Sequence, residues 1–130
     1  MFAQKYVIPH LPVLIDGMYS PEHIKKYWSF ENLYQTYKDG VFKCGEDDDG
    51  HKLKIKLKYY LEYLIHNTDD SPLYLFESSI ENNKDAKKML EHYDVPKYFS
   101  HDYFDYIDED KRPPHRWFLL GPERSGTGVH

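Results

Sequence analysis

Apolar and polar positions change period several times along this 130-residue chain, and each change marks an element. Residues 11–17 form a short apolar run of β character that closes on Asp16-Gly17, a turn signal. Ser20-Pro21-Glu22 then opens a helix predicted over 21–28, with a hydroxyl at the N-cap, proline at the first helical position and an acid in the first turn. Ser29 caps a second helix, where Phe30, Leu33, Tyr34 and Tyr37 recur at helical spacing until Asp39-Gly40 ends it. Residues 41–45 read as a strand. After an acidic run, Lys52, Lys54, Lys56 and Lys58 alternate with Leu53, Ile55 and Leu57. Period two predicts a second strand with one cationic and one apolar face, and the two strands form a hairpin.

From Lys58 to His66 the period is helical again, through Tyr59, Tyr60, Tyr63 and Leu64. Asp69-Asp-Ser-Pro72 is a turn, and residues 73–76 are a buried strand. Residues 84–93 are predicted helical, with Ala86, Met89 and Leu90 on one face, and Pro96 stops the helix. A short aromatic helix is expected over 99–107, a polar connector over 108–114 and a strand over 116–120. A glycine-rich bend and the start of another strand complete the chain at His130. The fold class is α+β, with helices packed on a few antiparallel strands and strand 116–120 at an open edge. Trp117 and Phe118 point to opposite faces of that strand.

Composition refines this picture. A single domain of this length buries roughly two-thirds of its unfolded surface. The mean hydropathy of -0.80 is low for such a domain, and 13 Tyr, 7 Phe and 2 Trp compensate for it, because each ring buries a large apolar area. A net charge of -5 argues against a generic nucleic-acid binder. The lone Cys44 precludes an internal disulfide and favours a reducing compartment. No apolar run approaches membrane-spanning length, and no signal peptide is visible.

Several candidate motifs fail on chemistry. Aligning Gly50 to the glycine of a calcium loop puts Gly45 and Lys56 where acids are needed, so Glu46-Asp-Asp-Asp-Gly50 is a solvated hairpin tip. The alternating lysines either track a phosphate backbone or guard an exposed strand edge, and the neighbouring acids favour the guard. Gly121-Pro-Glu-Arg-Ser-Gly126 has phosphate-loop spacing but is followed by Thr127-Gly128 where Lys-Ser/Thr is required. Cys44 is a packed thiol whose pKa the nearby carboxylates raise. The other histidines, among them His51, His66, His92 and His115, lack metal-cluster spacing. His130 differs, since a histidine at a strand start beside Thr127 suits the first half of a His-x-carboxylate pair. Such a pair, with a second histidine, forms a non-heme iron(II) site.

Phe42-Lys-Cys-Gly-Glu-Asp-Asp-Asp-Gly50, Lys58-Tyr-Tyr-Leu-Glu-Tyr63, Asp69-Asp-Ser-Pro-Leu-Tyr74, Val95-Pro-Lys97, Arg112-Pro-Pro-His-Arg-Trp-Phe118 and Gly126-Thr-Gly-Val-His130 resemble the Jumonji-C arginine demethylase and lysyl hydroxylase family. The resemblance implies an iron(II)- and 2-oxoglutarate-dependent oxygenase built on a cupin-like double-stranded β-helix. Residues 1–130 would be the N-terminal part of that domain, ending at its first metal-ligand motif with the barrel incomplete. His130 matches the first iron ligand, while Thr127 and Tyr74 match residues that hold 2-oxoglutarate. The remaining ligands and the lysine that anchors 2-oxoglutarate would follow residue 130. These 130 residues alone are therefore expected to bind neither group and to be inactive, and the open strand edge and uncovered aromatics predict self-association or marginal stability. The family also implies protein substrates (histone tails or RNA-processing proteins) and a nuclear location, while possible RNA contact rests on the Lys52 to Lys58 stripe alone. The alternative is a non-catalytic protein-interaction or RNA-binding module.

Overall fold

The computed structural model describes residues 2–46, 49–113 and 116–126. Met1, Asp47, Asp48, Pro114, His115 and residues 127–130 lie outside it, and with them the expected strand start at His130. After a short π-helical turn at Ala3–Val7 come helices α1 (Pro21–Trp28) and α2 (Phe30–Tyr37), strands β1 (Val41–Glu46) and β2 (Lys52–Lys56), helix α3 (Leu57–His66) and strand β3 (Leu75–Glu77). Four 3-10 turns follow, at Lys87–His92, Lys97–Phe99, Tyr103–Tyr106 and Glu109–Lys111, before strand β4 (Phe118–Leu120).

The helix starts are those read from the sequence. Ser20 Oγ accepts from His23 N at 3.1 Å and Ser29 Oγ from Asn32 N at 3.2 Å, so each hydroxyl satisfies one orphan donor of its helix. α3 has no side-chain cap. Its first amides donate backward instead, Leu57 N to Gly40 O at 2.9 Å and Lys58 N to Lys38 O at 3.0 Å. That exchange locks the start of α3 to the end of α2.

β1 and β2 pair antiparallel as the expected hairpin, with Phe42 opposite Ile55, Lys43 opposite Lys54 and an irregularity between Lys43 and Glu46. β3 and β4 pair antiparallel, with Leu75 opposite Leu120 and Glu77 opposite Phe118. The fold is mixed helix and sheet. Its described strands make two two-stranded sheets, and no closed barrel is present among the described residues. β3 lies beside β1, joined by side chains: Cys44 Sγ donates to Tyr74 O at 3.5 Å, and Lys43 N to Glu77 Oε2 at 3.4 Å. Asn83 Nδ2 spans Glu77 Oε2 and Val41 O at 2.8 and 3.0 Å, so the buried Glu77 carboxylate is satisfied by hydrogen bonds.

Three expectations change. Residues 11–17 have no regular structure and are largely exposed, with no strand partner among the described residues. Pro12 also removes a ladder donor there. The segment expected as a helix over 84–93 is a 3-10 turn at Lys87–His92. Asn83 explains this: its side chain accepts from Asp85 N at 3.0 Å and its carbonyl accepts from both Ala86 N and Lys87 N, so the chain enters through an Asx turn. The buried face is nonetheless as expected, because Ala86 and Met89 are fully buried. The region 99–107 holds one 3-10 turn, at Tyr103–Tyr106, after another that ends at Phe99, and Tyr103 and Tyr106 are exposed.

One core joins Leu33 and Tyr37 of α2, Phe42 and Cys44 of β1, Leu57, Tyr60 and Leu61 of α3, Leu75 of β3, Phe118 of β4, and Ile80, Ala86 and Met89. Trp117 is 55% exposed while Phe118 is buried, the expected split across β4. Tyr60 is the keystone. Its hydroxyl donates to Leu120 O at 2.6 Å and accepts from Leu75 N at 3.1 Å, tying α3 to both strands of the second sheet.

A column of rings fastens α1 to the 87–94 segment. Tyr19 stacks on His23 at 4.8 Å, His23 lies 4.9 Å from Tyr27, and Tyr27 stacks on His92 at 4.4 Å. Tyr19 Oη donates to Asp94 O at 2.7 Å, and His23 Nε2 lies 2.8 Å from His92 O. Burial first, then Lys88, lowers the His92 pKa below its ordinary 6.5, with Glu91 opposing and His23 and Lys26 adding to the shift. A lowered folded-state pKa means that the unfolded chain binds the proton first. The stabilisation is therefore present above pH 6.5 and lost as pH falls from there through the lowered value. Urea melts taken as pH falls below 6.5 should show falling stability, and His92→Gln should flatten the fall.

Candidate functional site

Sequence reading nominated Tyr74, Thr127 and His130. Thr127 and His130 lie outside the described residues. The structure does place Tyr74 against the bend that leads to them. Tyr74 immediately precedes β3, is half-buried, and packs its ring edge-on against Phe76 at 6.0 Å. Phe76 in turn meets Trp117 at 5.4 Å. Leu75 and Glu77 face the core, so Phe76 lies on the opposite face of β3, beside its cross-strand partner Leu119. Tyr74, Phe76, Trp117 and Leu119 thus form one aromatic and aliphatic wall with a phenol hydroxyl at its end.

Gly121 sets the distance between Tyr74 and the bend. A Cβ there would overlap Ser125 Oγ and lie 3.0 Å from Tyr74 Cβ, so glycine lets the bend approach this closely without displacing either neighbour. Beyond it, Ser125 Oγ donates to Pro122 O at 2.7 Å and closes the turn. Arg124 takes a positive φ of 70°. Its guanidinium reaches across to the 69–72 turn, with Nη1 3.1 Å from Asp70 Oδ1 and Nη2 donating to Asp69 O at 2.9 Å. From the other side Tyr63 Oη donates to Asp69 Oδ2 at 2.7 Å and accepts from Leu73 N at 3.0 Å. The segment carrying Tyr74 and the bend are therefore held to each other and to α3.

Sequence reading missed this clamp. Arg124, Asp69 and Asp70 are 54 and 55 residues apart in the chain, and single-sequence periodicity carries no long-range pairing signal. The Gly121 contact was legible only as a bend. Cys44 is a packed thiol as expected, but burial is what raises its pKa, in place of the acidic run named from sequence.

Chemically, the arrangement offers a phenol that can donate to a carboxylate beside a partly exposed apolar wall. Among the described residues no group of three or more His, Cys, Asp or Glu side chains could hold a metal ion. The described residues therefore do not by themselves fit an iron site. No described helix is long and apolar enough to cross a membrane.

No protein-family model matches the chain. Curated proteins do. Over 129 residues, 99% of the chain, it is 47% identical to the bifunctional arginine demethylase and lysyl-hydroxylase psr-1 of Caenorhabditis elegans. It is 46% identical to the protein of the same name in Caenorhabditis briggsae over the same length. It is 33% identical over 119 residues, 92% of the chain, to the lysine-specific demethylase JMJ21 of Arabidopsis thaliana. The chain spans 32% of the length of each psr-1 protein and 12% of JMJ21. Identity near one-half along nearly the whole chain makes it, by sequence, a relative of the arginine demethylase and lysyl-hydroxylase family.

Proposed function

We propose that the protein is a Jumonji-C oxygenase that uses iron(II) and 2-oxoglutarate to hydroxylate lysine or demethylate arginine on protein substrates. The observation that carries this is the junction of Tyr74 with the glycine-rich bend, in a chain 47% identical to a named demethylase and hydroxylase. In this reading residues 1–130 are the N-terminal part of a cupin-like barrel domain. Tyr74 and Thr127 would hydrogen-bond the 2-oxoglutarate carboxylate, and His130 would be one iron ligand. Iron and 2-oxoglutarate together would supply oxygen activation. The chain's own contribution would be to orient the cosubstrate carboxylate through the Tyr74 hydroxyl beside the Phe76–Trp117 wall. Histone tails or RNA-processing proteins are the proposed substrates, and the nucleus is the proposed location.

The 130 residues supply one family-type metal ligand, and holding iron takes a preorganised set. Residues 1–130 alone are thus proposed to bind neither iron nor 2-oxoglutarate. Exposed Phe99, Tyr103, Tyr106 and Trp117, with a cleft of about 610 Å³ lined in part by Trp28, Met89, Leu90 and Leu119, favour self-association. Light scattering should show species larger than a 15.6 kDa monomer, and a monomer with a sharp cooperative melt would count against this.

The functional test is cosubstrate turnover by a protein as long as the psr-1 relatives, loaded with iron(II) and given lysine- and methylarginine-containing peptides. Oxygen-dependent release of carbon dioxide from 2-oxoglutarate, with a hydroxylated or demethylated peptide, is the expected result. A folded, iron-loaded protein with no such turnover would overturn the proposal.

A further inference from the structure

We infer that Arg124 is a positioning residue: its guanidinium holds residues 69–74, and with them the Tyr74 phenol, against the glycine-rich bend. This role deepens the reading of Tyr74 as a residue that holds the cosubstrate, and rests on it.

The β3–β4 ladder ends at Leu75 and Leu120. Tyr74 and Gly121 lie just past that end, and there the Arg124 guanidinium takes over. Its Nη1 lies 3.1 Å from Asp70 Oδ1, and its Nη2 donates to Asp69 O at 2.9 Å. One nitrogen meets a side chain and the other meets the backbone, so the bend is tied to the course of the chain itself at residues 69–70. The Asp69 carboxylate is left for Tyr63, whose Oη donates to Oδ2 at 2.7 Å and accepts from Leu73 N at 3.0 Å. Arg124, Asp69, Tyr63 and the Leu73 amide thus form one series of bonds that ends on the residue before Tyr74.

Ordinary surface stabilisation does not account for this contact. The Arg124 side chain is half-exposed and that of Asp70 fully exposed, and an ion pair so placed contributes little to stability. The Arg124 backbone also sits at φ 70°, in the left-handed region that is costly for any residue with a Cβ. Glycine would relieve that strain but carries no guanidinium. A weak pair built on a strained backbone adds little stability; what it fixes is the distance between the bend and residues 69–74. Lysine would keep the charge and lose the planar fork that reaches two acceptors at once.

Cys44 supplies a readout independent of activity. It is buried, it is the lone cysteine, and its Sγ donates to Tyr74 O at 3.5 Å, so loosening of residues 69–74 uncovers the thiol. Labelling of the native chain by a thiol-reactive aromatic disulfide should run ~fivefold faster in Arg124→Gln, and nearly as fast in Arg124→Lys, with melting midpoints little changed. In a protein as long as the psr-1 relatives, Arg124→Gln should raise the KM for 2-oxoglutarate at least ~threefold and leave kcat within ~twofold, because Tyr74 is in place for a smaller fraction of the time. Labelling at the unsubstituted rate, a KM unchanged while labelling speeds up, or full recovery in Arg124→Lys would each overturn the role. Absence of turnover in the unsubstituted long protein would instead strike the oxygenase reading, and with it the link to cosubstrate, while labelling still decides whether the guanidinium holds the segment.

Discussion

Tyr60→Phe should lower the stability of the chain by about 2–4 kcal/mol, a large effect for the loss of one oxygen atom. The ring would still pack, so the cost is not a cavity. It is the loss of partners for the Leu75 amide and the Leu120 carbonyl at the join of α3, β3 and β4. An orphaned buried polar group costs about 1–3 kcal/mol. The matching change at Tyr63, whose partner Asp69 is exposed to water, should cost only about 0.5–1 kcal/mol. Thermal melts of the two variants side by side would test the difference, since a 2–4 kcal/mol loss moves the midpoint by on the order of 10 °C. An alkaline signature should accompany it. Burial pushes the Tyr60 pKa up from 10.0 to about 12. A raised folded-state pKa gives stability that is full below pH 10 and lost as pH rises through about 12. Tyr60→Phe should remove that alkaline loss.

Gly121→Ala carries the second large effect, on activity. Its new methyl group would meet Ser125 Oγ and crowd Tyr74 Cβ, so either the bend or the Tyr74 segment must shift. Overpacking of this kind costs about 1–3 kcal/mol. Misplacing a cosubstrate-binding group by ~1 Å costs about a hundredfold in rate. If Tyr74 holds the cosubstrate as proposed, turnover in a protein as long as the psr-1 relatives should fall, by less than that factor for the smaller shift this contact forces, while the fold persists. Adding Ser125→Gly removes the nearest clash and should recover part of the loss. A double variant no better than Gly121→Ala would show that the two positions are not coupled through this contact.

Local signals in the sequence were reliable wherever local physics decides the structure. Ser20, Pro21 and Ser29 place two helix starts because capping needs only neighbouring residues. The lysine alternation places β2, and Phe118 turns inward at the start of β4 while Trp117, just before it, stays exposed. Where competing interactions decide, the reading slipped. Asn83 diverts the 84–93 segment into a 3-10 turn through its own side chain, a competition that apolar spacing does not register. The run at 11–17 has strand-like composition, but a strand also needs a partner, and none of the described strands pairs with it. Of the candidate site, Tyr74 and the glycine-rich bend were legible as motifs. Their contact through Gly121 and the Arg124 clamp onto Asp69 and Asp70 depends on long-range packing, which only the structure reveals.

The most direct measurement is the KM for 2-oxoglutarate in a protein of the relatives' length carrying Tyr74→Phe, with kcat recorded in the same assay. Tyr74 is assigned to hold the cosubstrate carboxylate, and a hydrogen bond to a charged group is worth about 1.5–3 kcal/mol. Losing it should raise KM about ten- to a hundredfold, with a smaller change in kcat, because in the proposed reading the phenol holds the cosubstrate without taking part in the oxidation. The same substitution should leave the melting midpoint nearly unchanged, since the Tyr74 side chain is half-buried and its carbonyl keeps the Cys44 bond. A KM within twofold (~0.4 kcal/mol) of the unsubstituted protein would contradict the assignment and remove Tyr74 from the site.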